Sequence, residues 1–300
     1  MILEIAYNII LPIFLVVGVS ALVDRVFAPD PRALSRLVVY LFTPFLVLDG
    51  IAHSDLSGDE GWQLVVIAVW ITVLVALAAW GLARLLKFDR KLTCAFVLSA
   101  VLINAGNYGV PLNEFAFGEA GRQRAIVYYV VTAVAANTLG VYIASAGTAS
   151  TRQALINVLK VPLPYAAVLG LIINLSNITL DKPFERAITL LSQAAVPAML
   201  VVLGVQLSRA KIRGRLRAVF LASGMRLVFA PLIAFLLVML FDLTGVTRQV
   251  AVVQSGMSTA VMAGVLATEF DSDPDFVTAV ILVSTLLSIG TLSVLLSVVM

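Results

Sequence analysis

The stretch Asn104-Ala-Gly-Asn-Tyr-Gly-Val-Pro111 lies in the middle of an apolar segment, residues 92–117, that is long enough to cross a bilayer. Two Asn, two Gly and a Pro within eight residues of a membrane helix imply a backbone that opens there. Gly loosens the helical ladder, and Pro111 has no N–H to give to it. An opened backbone at membrane depth is tolerated only where protein or a cavity covers it. The stretch therefore reads as an interrupted helix at a binding site, with Gly106, Gly109 and Pro111 as the breaking residues.

Working outward, the rest of the chain agrees with a membrane setting. Of its 300 residues 61% are hydrophobic and 12% charged, and the mean hydropathy is +1.05. A soluble domain of this size would have too little polar surface. Apolar runs recur at residues 3–23, 34–52, 62–86, 92–117 and 124–146, then at 162–177, 183–208, 216–241, 247–268 and 275–300. The pattern predicts an all-α polytopic membrane protein with ten transmembrane helices. Period-two segments of a β-barrel are absent from the sequence. One Cys (Cys94) and one His (His53) exclude a disulfide framework and a Cys/His metal site. The net charge of +3 calls for no nucleic acid, because cytoplasmic loops of membrane proteins are basic. The only early charge, Glu4, argues against a cleaved signal peptide.

Orientation follows from the Lys and Arg residues of the loops. With both termini outside, the inner loops hold Arg25, Arg32 and Arg36, then Arg84, Lys87, Arg90 and Lys91, then Arg152 and Lys160. The densest inner loop adds Arg209, Lys211, Arg213, Arg215 and Arg217. The outer loops hold only Arg122, Arg124, Lys182, Arg186 and Arg248. Residues 147–161 form a short cytoplasmic linker between residues 1–146 and 162–300.

The two halves match at one offset. Pro12 and Pro164, and Gly18 and Gly170, lie 152 residues apart. Pro44 and Pro197, Thr132 and Thr285, and Thr138-Leu139 and Thr291-Leu292 lie 153 apart. A repeat of five spans must insert upside down, so the sequence predicts two inverted five-helix repeats with broken, crossing helices 4 and 9. Such repeats point to a secondary transporter. The offset places Asn104 and Asn107 on the polar run Gln254-Ser-Gly-Met-Ser-Thr259, where Gly256 is a further breaking residue. Two half-helices are expected to begin near Val110 and Ser258. Helix N-termini carry roughly half a positive charge each, so the volume between them favours an anion such as a carboxylate.

At these residues the chain resembles the auxin efflux carrier family, in its bacterial branch. The resemblance lies in residues 104–112 with Phe117-Gly-Glu119, in Val196-Pro-Ala-Met-Leu-Val-Val-Leu-Gly-Val-Gln-Leu207, and in Met257-Ser-Thr-Ala-Val-Met-Ala-Gly-Val-Leu-Ala267. It implies the fold of bile-acid symporters and sodium–proton antiporters, with helices 1, 2, 6 and 7 as scaffold and helices 3–5 and 8–10 as a mobile transport domain. It also implies an elevator-like homodimer in the cell membrane that carries an organic acid, auxin-like or a dicarboxylate. The chain departs from the family pattern where Ser258 and Met262 stand in place of Pro and Asn.

The expected substrate contacts are Asn104 and Asn107 through their amide N–H groups, Tyr108, Ser258 and Thr259, and Arg226, a guanidinium too deep in the eighth span to stand unpaired. Arg226 reads rather more readily as part of a fixed ion pair inside the transport domain. Glu114 and Asp49 are candidate proton carriers. Asn104, Asn107, Gln254 and Ser255 could instead supply oxygens to sodium, as a sodium-coupled symporter would require. A passive uniporter is the other alternative. Gln193 and Gln206 are expected to bond neighbouring helices. No cofactor is implied beyond a coupling proton or sodium ion, and the expected partners are the anion, lipids and a second copy of the chain. The spans carry no nucleophile–base set or metal motif, and the phosphate-binding G-x-x-x-x-G-K-[ST] run is absent, so an enzyme is not expected.

Overall fold

The computed structural model describes residues 2–145, 156, 158–210 and 215–300. Most of the linker 147–161, with Arg152, and the loop residues Lys211 and Arg213 lie outside the described residues. The protein is an all-helical, polytopic membrane protein. Among the described residues seven helices are long and apolar enough to cross a membrane. They are α1 (Ile2–Phe27), α2 (Pro31–Ala52), α3 (Gly58–Leu85), α5 (Ala105–Ala144), α7 (Lys182–Arg209), α8 (Leu216–Leu240) and α11 (Pro274–Val299). Four shorter helices complete the set: α4 (Arg90–Val101), α6 (Leu163–Leu175), α9 (Gly245–Ser255) and α10 (Val261–Glu269).

Helix starts follow side-chain chemistry. Ser57 and Glu60 form a reciprocal capping box at α3. Asp30, Asp89 and Asp273 accept the N–H groups of Arg32, Leu92 and Phe276 at the starts of α2, α4 and α11. The Leu92 N–H, and to a lesser degree the Arg215 guanidinium, hold the Asp89 carboxyl below the usual carboxylate range. Proline does not break these helices. Pro12, Pro44, Pro111 and Pro231 each follow a π-helical turn, at Ala6–Ile10, Val38–Phe42, Ala105–Gly109 and Met225–Phe229. The wider turn moves the preceding carbonyls away from the ring, which would clash with a regular helix.

α5 has 40 residues, about 60 Å of helix and twice the thickness of a bilayer core. It turns at Gly118, where φ is 64° and ψ −153°, a conformation open essentially to glycine alone. The loop expected between residues 117 and 124 is thus a corner inside one continuous helical stretch.

The largest apolar cluster sets one group of helices apart, and two smaller clusters join that group to the remaining helices. The largest apolar cluster draws its residues from α3, α4, α5, α8, α9, α10 and α11, and none from α1, α2, α6 or α7. α7 packs on α1 and α2, and α6 on α2. Close approach through glycine makes the second group tight. A Cβ on Gly204 would meet the Val17 carbonyl and Ser20 Cβ, and one on Gly170 would meet the Leu48 carbonyl and Ile51. Gly204→Leu should therefore cost about 1–3 kcal/mol, read as a lowered Tm of the purified protein; a wild-type Tm would contradict this packing. At one end of the bundle Arg209 binds Asp24 at 2.6 Å, Arg215 binds Asp89 at 3.2 Å and Lys91 binds Asp271 at 2.8 Å. This is the basic end. The Trp80 ring lies beneath Arg84 there, 5.2 Å from the guanidinium carbon, in the place of an interface anchor.

Candidate functional site: a crossing of two interrupted helices

α4 stops at Val101 and α5 starts at Ala105, while α9 stops at Ser255 and α10 starts at Val261. The two gaps lie side by side. The Asn104 N–H donates to the Ser258 carbonyl at 2.8 Å and the Ala260 N–H to the Leu102 carbonyl at 2.8 Å. Ile103 and Thr259 face each other across this single antiparallel bridge. α11 supplies further partners: Ser284 Oγ accepts the Thr259 N–H at 3.1 Å, and Thr285 Oγ1 donates to Ser258 Oγ at 3.1 Å. Each gap thus satisfies backbone groups of the other, which is what allows two unwound segments to sit inside an apolar bundle.

The opening lies at residues 102–104, upstream of the positions expected to cause it. Gly106 and Gly109 sit within the π-helical turn Ala105–Gly109, and Pro111 in the first turn of the α-helix that follows. The π-helical turn before it makes room for the proline ring inside the continuing helix. The two glycines serve close approach instead. A Cβ on Gly106 would lie 2.7 Å from the Tyr129 ring, and one on Gly109 would collide with the Gln254 side-chain amide. Gly256, by contrast, is part of the second gap.

Residues at both restarts line one cavity of about 390 Å³. Asn104, Gly106 and Asn107 come from the start of α5, and Ala260, Val261 and Met262 from the start of α10. The first-turn N–H groups of both helices have no intrahelical acceptor. Asn104 is buried, and its Nδ2 has no hydrogen-bond partner among the described residues. The remaining wall is largely apolar, with Tyr129, Thr132 and Asn137 from α5 and Val202 and Gln206 from α7. Gln206 Oε1 is likewise buried and unpartnered, so it does not bond a neighbouring helix through that oxygen as expected. The mouth carries Ser35 and the exposed Arg36 at the basic end. Arg36 is the only charged residue among the described lining residues, and none of these is a carboxylate.

Several expected site residues lie elsewhere. Tyr108 is fully buried against Phe14, ring edge to face at 5.8 Å, and its hydroxyl accepts from Ser288 at 3.4 Å. Thr259 donates its hydroxyl to the Ser99 carbonyl at 2.8 Å, and Ser258 is held by Thr285. None of the three lines the cavity. Met262 does, so the second half-helix brings an apolar side chain to it.

Arg226 is 1% exposed and lies in the π-helical turn of α8. It contacts neither the cavity nor a carboxylate among the described residues. Nη1 donates to the Ala100 carbonyl at 2.7 Å, with the Val101 carbonyl at 3.5 Å, and Nη2 donates to the Ser255 carbonyl. The guanidinium therefore caps the C-terminal ends of α4 and α9 together. The expected substrate contact or ion pair is replaced by main-chain acceptors.

The proposed sodium oxygens are also dispersed. Gln254 and Ser255 are fully buried outside the cavity. Gln254 Nε2 donates to the Ala105 and Ala125 carbonyls at 3.4 and 3.3 Å and Ser255 Oγ to the Val252 carbonyl at 2.6 Å, while Gln254 Oε1 is buried without a partner among the described residues. The described residues contain no group of three or more His, Cys, Asp or Glu suited to a metal ion.

Asp49 and Glu114 belong to the end of the bundle away from Arg36. There Arg122 of α5 holds Glu119 at 2.7 Å and Asp49 of α2 at 3.7 Å, and reaches Ser192 of α7 at 3.4 Å. Gln123 donates to the His53 carbonyl at 3.2 Å, and His53 Nδ1 lies 3.2 Å from Asp49. Glu114 keeps one buried oxygen, Oε2, without a partner. These contacts tie the two helix groups together at the end opposite the cavity mouth.

Compared with known proteins, residues 6–150 and 145–296 match a family described as Membrane transport protein. The chain is similar to an uncharacterized transporter of Methanothermobacter thermautotrophicus, 31% identical over 267 residues that cover 88% of this chain and 87% of that one. It is also similar to an uncharacterized transporter of Methanocaldococcus jannaschii, 26% identical over 265 residues and covering 86% of both chains.

Proposed function

We propose, for a chain that belongs to the membrane transport protein family of the auxin efflux carriers, that it is a secondary carrier of a small organic anion. One observation carries the reading. Two helix N-termini and the buried Asn104 amide, without a partner among the described residues, share a cavity whose described lining holds no carboxylate. Such a volume attracts a carboxylate through the helix dipoles and free N–H donors. Asn104 and Asn107 are its side-chain donors, and Arg36 at the mouth raises the local concentration of anions. The apolar remainder of the wall accommodates the body of the substrate.

The transport cycle is an alternating-access, elevator-type motion of α3–α5 and α8–α11 against α1, α2, α6 and α7. The separate apolar cluster of the first group supports this division. Counting α4 with the first part of α5, and α9 with α10, supports a reading of ten crossings in two inverted five-helix units. Both interrupted helices then occupy matching places in the two units. The basic end faces the cytoplasm of the cell and both termini lie outside, a reading that the Lys and Arg distribution supports. The cavity then opens inward, and Arg122 with Asp49 and Ser192 closes the outer side. Glu114, with its unpartnered buried oxygen, is the carboxyl suited to carry a coupled proton. The working unit is a homodimer built on the scaffold helices.

Counterflow in proteoliposomes tests the reading. Vesicles loaded with an unlabelled carboxylate should concentrate the same labelled carboxylate transiently from outside. Flux without saturation or counterflow, or counterflow only with amines, would overturn it.

A further inference from the structure

The charge of Arg226 has no acidic partner among the described residues, and its surroundings say what it does instead. A helix ends with carbonyl groups that lack intrahelical donors and with roughly half a negative charge. α4 and α9 end against each other at the crossing, so two such ends lie together. The Arg226 guanidinium bonds both, through Ala100 and Ser255, with Val101 alongside. Its Nε has no partner, so the two Nη groups alone carry the contact. A guanidinium is charged at every accessible pH and its planar fork suits two acceptors at once. The crossing is thereby electrostatically complete: two N-terminal ends turned to the cavity, two C-terminal ends turned to one fixed cation.

In carriers with interrupted helices, unwound carbonyls and half-helix C-termini are the groups that coordinate a coupling cation. We propose that Arg226 is the resident cation of this crossing, covalently held at the carbonyl ends where such a carrier would otherwise bind sodium. The arrangement of the crossing then needs no dissolved metal cation, and carriage is independent of sodium. Arg226 acts as a positioning residue: it sets the relative placement of α4 and α9, and through them the two restarts that face the cavity. Of the other candidate sodium ligands, Ser255 and the Gln254 amide nitrogen donate to main-chain acceptors, while Gln254 Oε1 is buried without a partner among the described residues and lies outside the cavity. The inference rests on the reading of the chain as an interrupted-helix carrier, but on no particular substrate.

Melting of the full-length protein in detergent, without substrate, tests it. Wild type, Arg226→Met and Arg226→Lys are compared in sodium, potassium and choline chloride at matched ionic strength, with methylguanidinium chloride as an added probe. Wild type should melt at one temperature in all three salts and be unmoved by the probe. Arg226→Met should melt several degrees lower and recover part of the difference, saturably, with methylguanidinium. Arg226→Lys, which keeps a charge, should lie between them and ignore sodium. Saturable, sodium-specific stabilisation of wild type would overturn the proposal, and so would an Arg226→Met protein that melts like wild type or that methylguanidinium cannot raise. Should Arg226→Met fail to fold, the sodium series on wild type and Arg226→Lys decides alone. Because no substrate enters these measurements, a failed organic-anion reading leaves them interpretable.

Discussion

Replacing Asn104 and Asn107 together by Ala is expected to leave the protein folded and to remove carboxylate binding. The fold survives because Asn104 joins the crossing through its main chain, whose N–H donates to Ser258 and whose carbonyl accepts from Gly109 at 2.9 Å. Its side-chain Nδ2 has no partner, and an unsatisfied buried polar group costs about 1–3 kcal/mol. Deleting it should therefore leave Tm unchanged or raise it. Binding moves the other way. A hydrogen bond to a charged group contributes about 1.5–3 kcal/mol, so losing two should weaken a carboxylate by at least roughly a hundredfold. Calorimetric titration alongside a melting curve checks both halves. Wild-type affinity in the double variant would remove these amides from the site.

The second large effect is structural. Gly109→Leu places a side chain where the Gln254 amide lies, at a buried position of its turn. Gln254 is the side chain that ties α9 to α5 through the Ala105 and Ala125 carbonyls. Overpacking costs about 1–3 kcal/mol, and stranding a buried amide costs a similar amount again. The expected loss is about 3 kcal/mol or more, read as a strongly lowered Tm or a collapse in monodisperse yield. A variant with wild-type melting would mean that Gln254 moves aside freely and that the two half-helices are not fastened there.

The contrast between these two positions explains what was legible in the sequence. Asn104 to Pro111 announces an interruption because such residues are costly in a membrane helix, and that cost is local. Where the backbone opens is not a local matter. It opens at residues 102–104 because residues 258–260 lie alongside to exchange hydrogen bonds, and no pattern within residues 92–117 names that partner. Gly106 and Gly109 looked like breaks because a single sequence does not distinguish a glycine that unwinds a helix from one that lets Tyr129 or Gln254 approach. Arg226 was recognisable as a charge in need of a partner, yet its partners are carbonyls, which every residue has. Ser258 and Thr259 were visible as polar residues, but which way they face is decided by α4 and α11. Gln206 and Arg36 reach the cavity from α7 and α2, and Thr132 and Asn137 from a later part of α5. Of these, only Gln206 carried a signal, a lone amide in the apolar run 196–207. The π-helical turns before Pro12, Pro44, Pro111 and Pro231 accommodate the proline rings, but Pro197 sits in α7 without such a turn, so proline alone does not announce them.

The most direct test of the central claim, that the crossing holds an anion, is a thermal-shift series on purified wild type and Asn107→Ala. The ligands are small mono- and dicarboxylates, with amines and neutral analogues of matched shape as controls. At least one carboxylate should raise the Tm of wild type saturably and leave Asn107→Ala unmoved. Stabilisation by an amine or a neutral analogue alone, or by a carboxylate equally in both proteins, would contradict an anion site at Asn104 and Asn107.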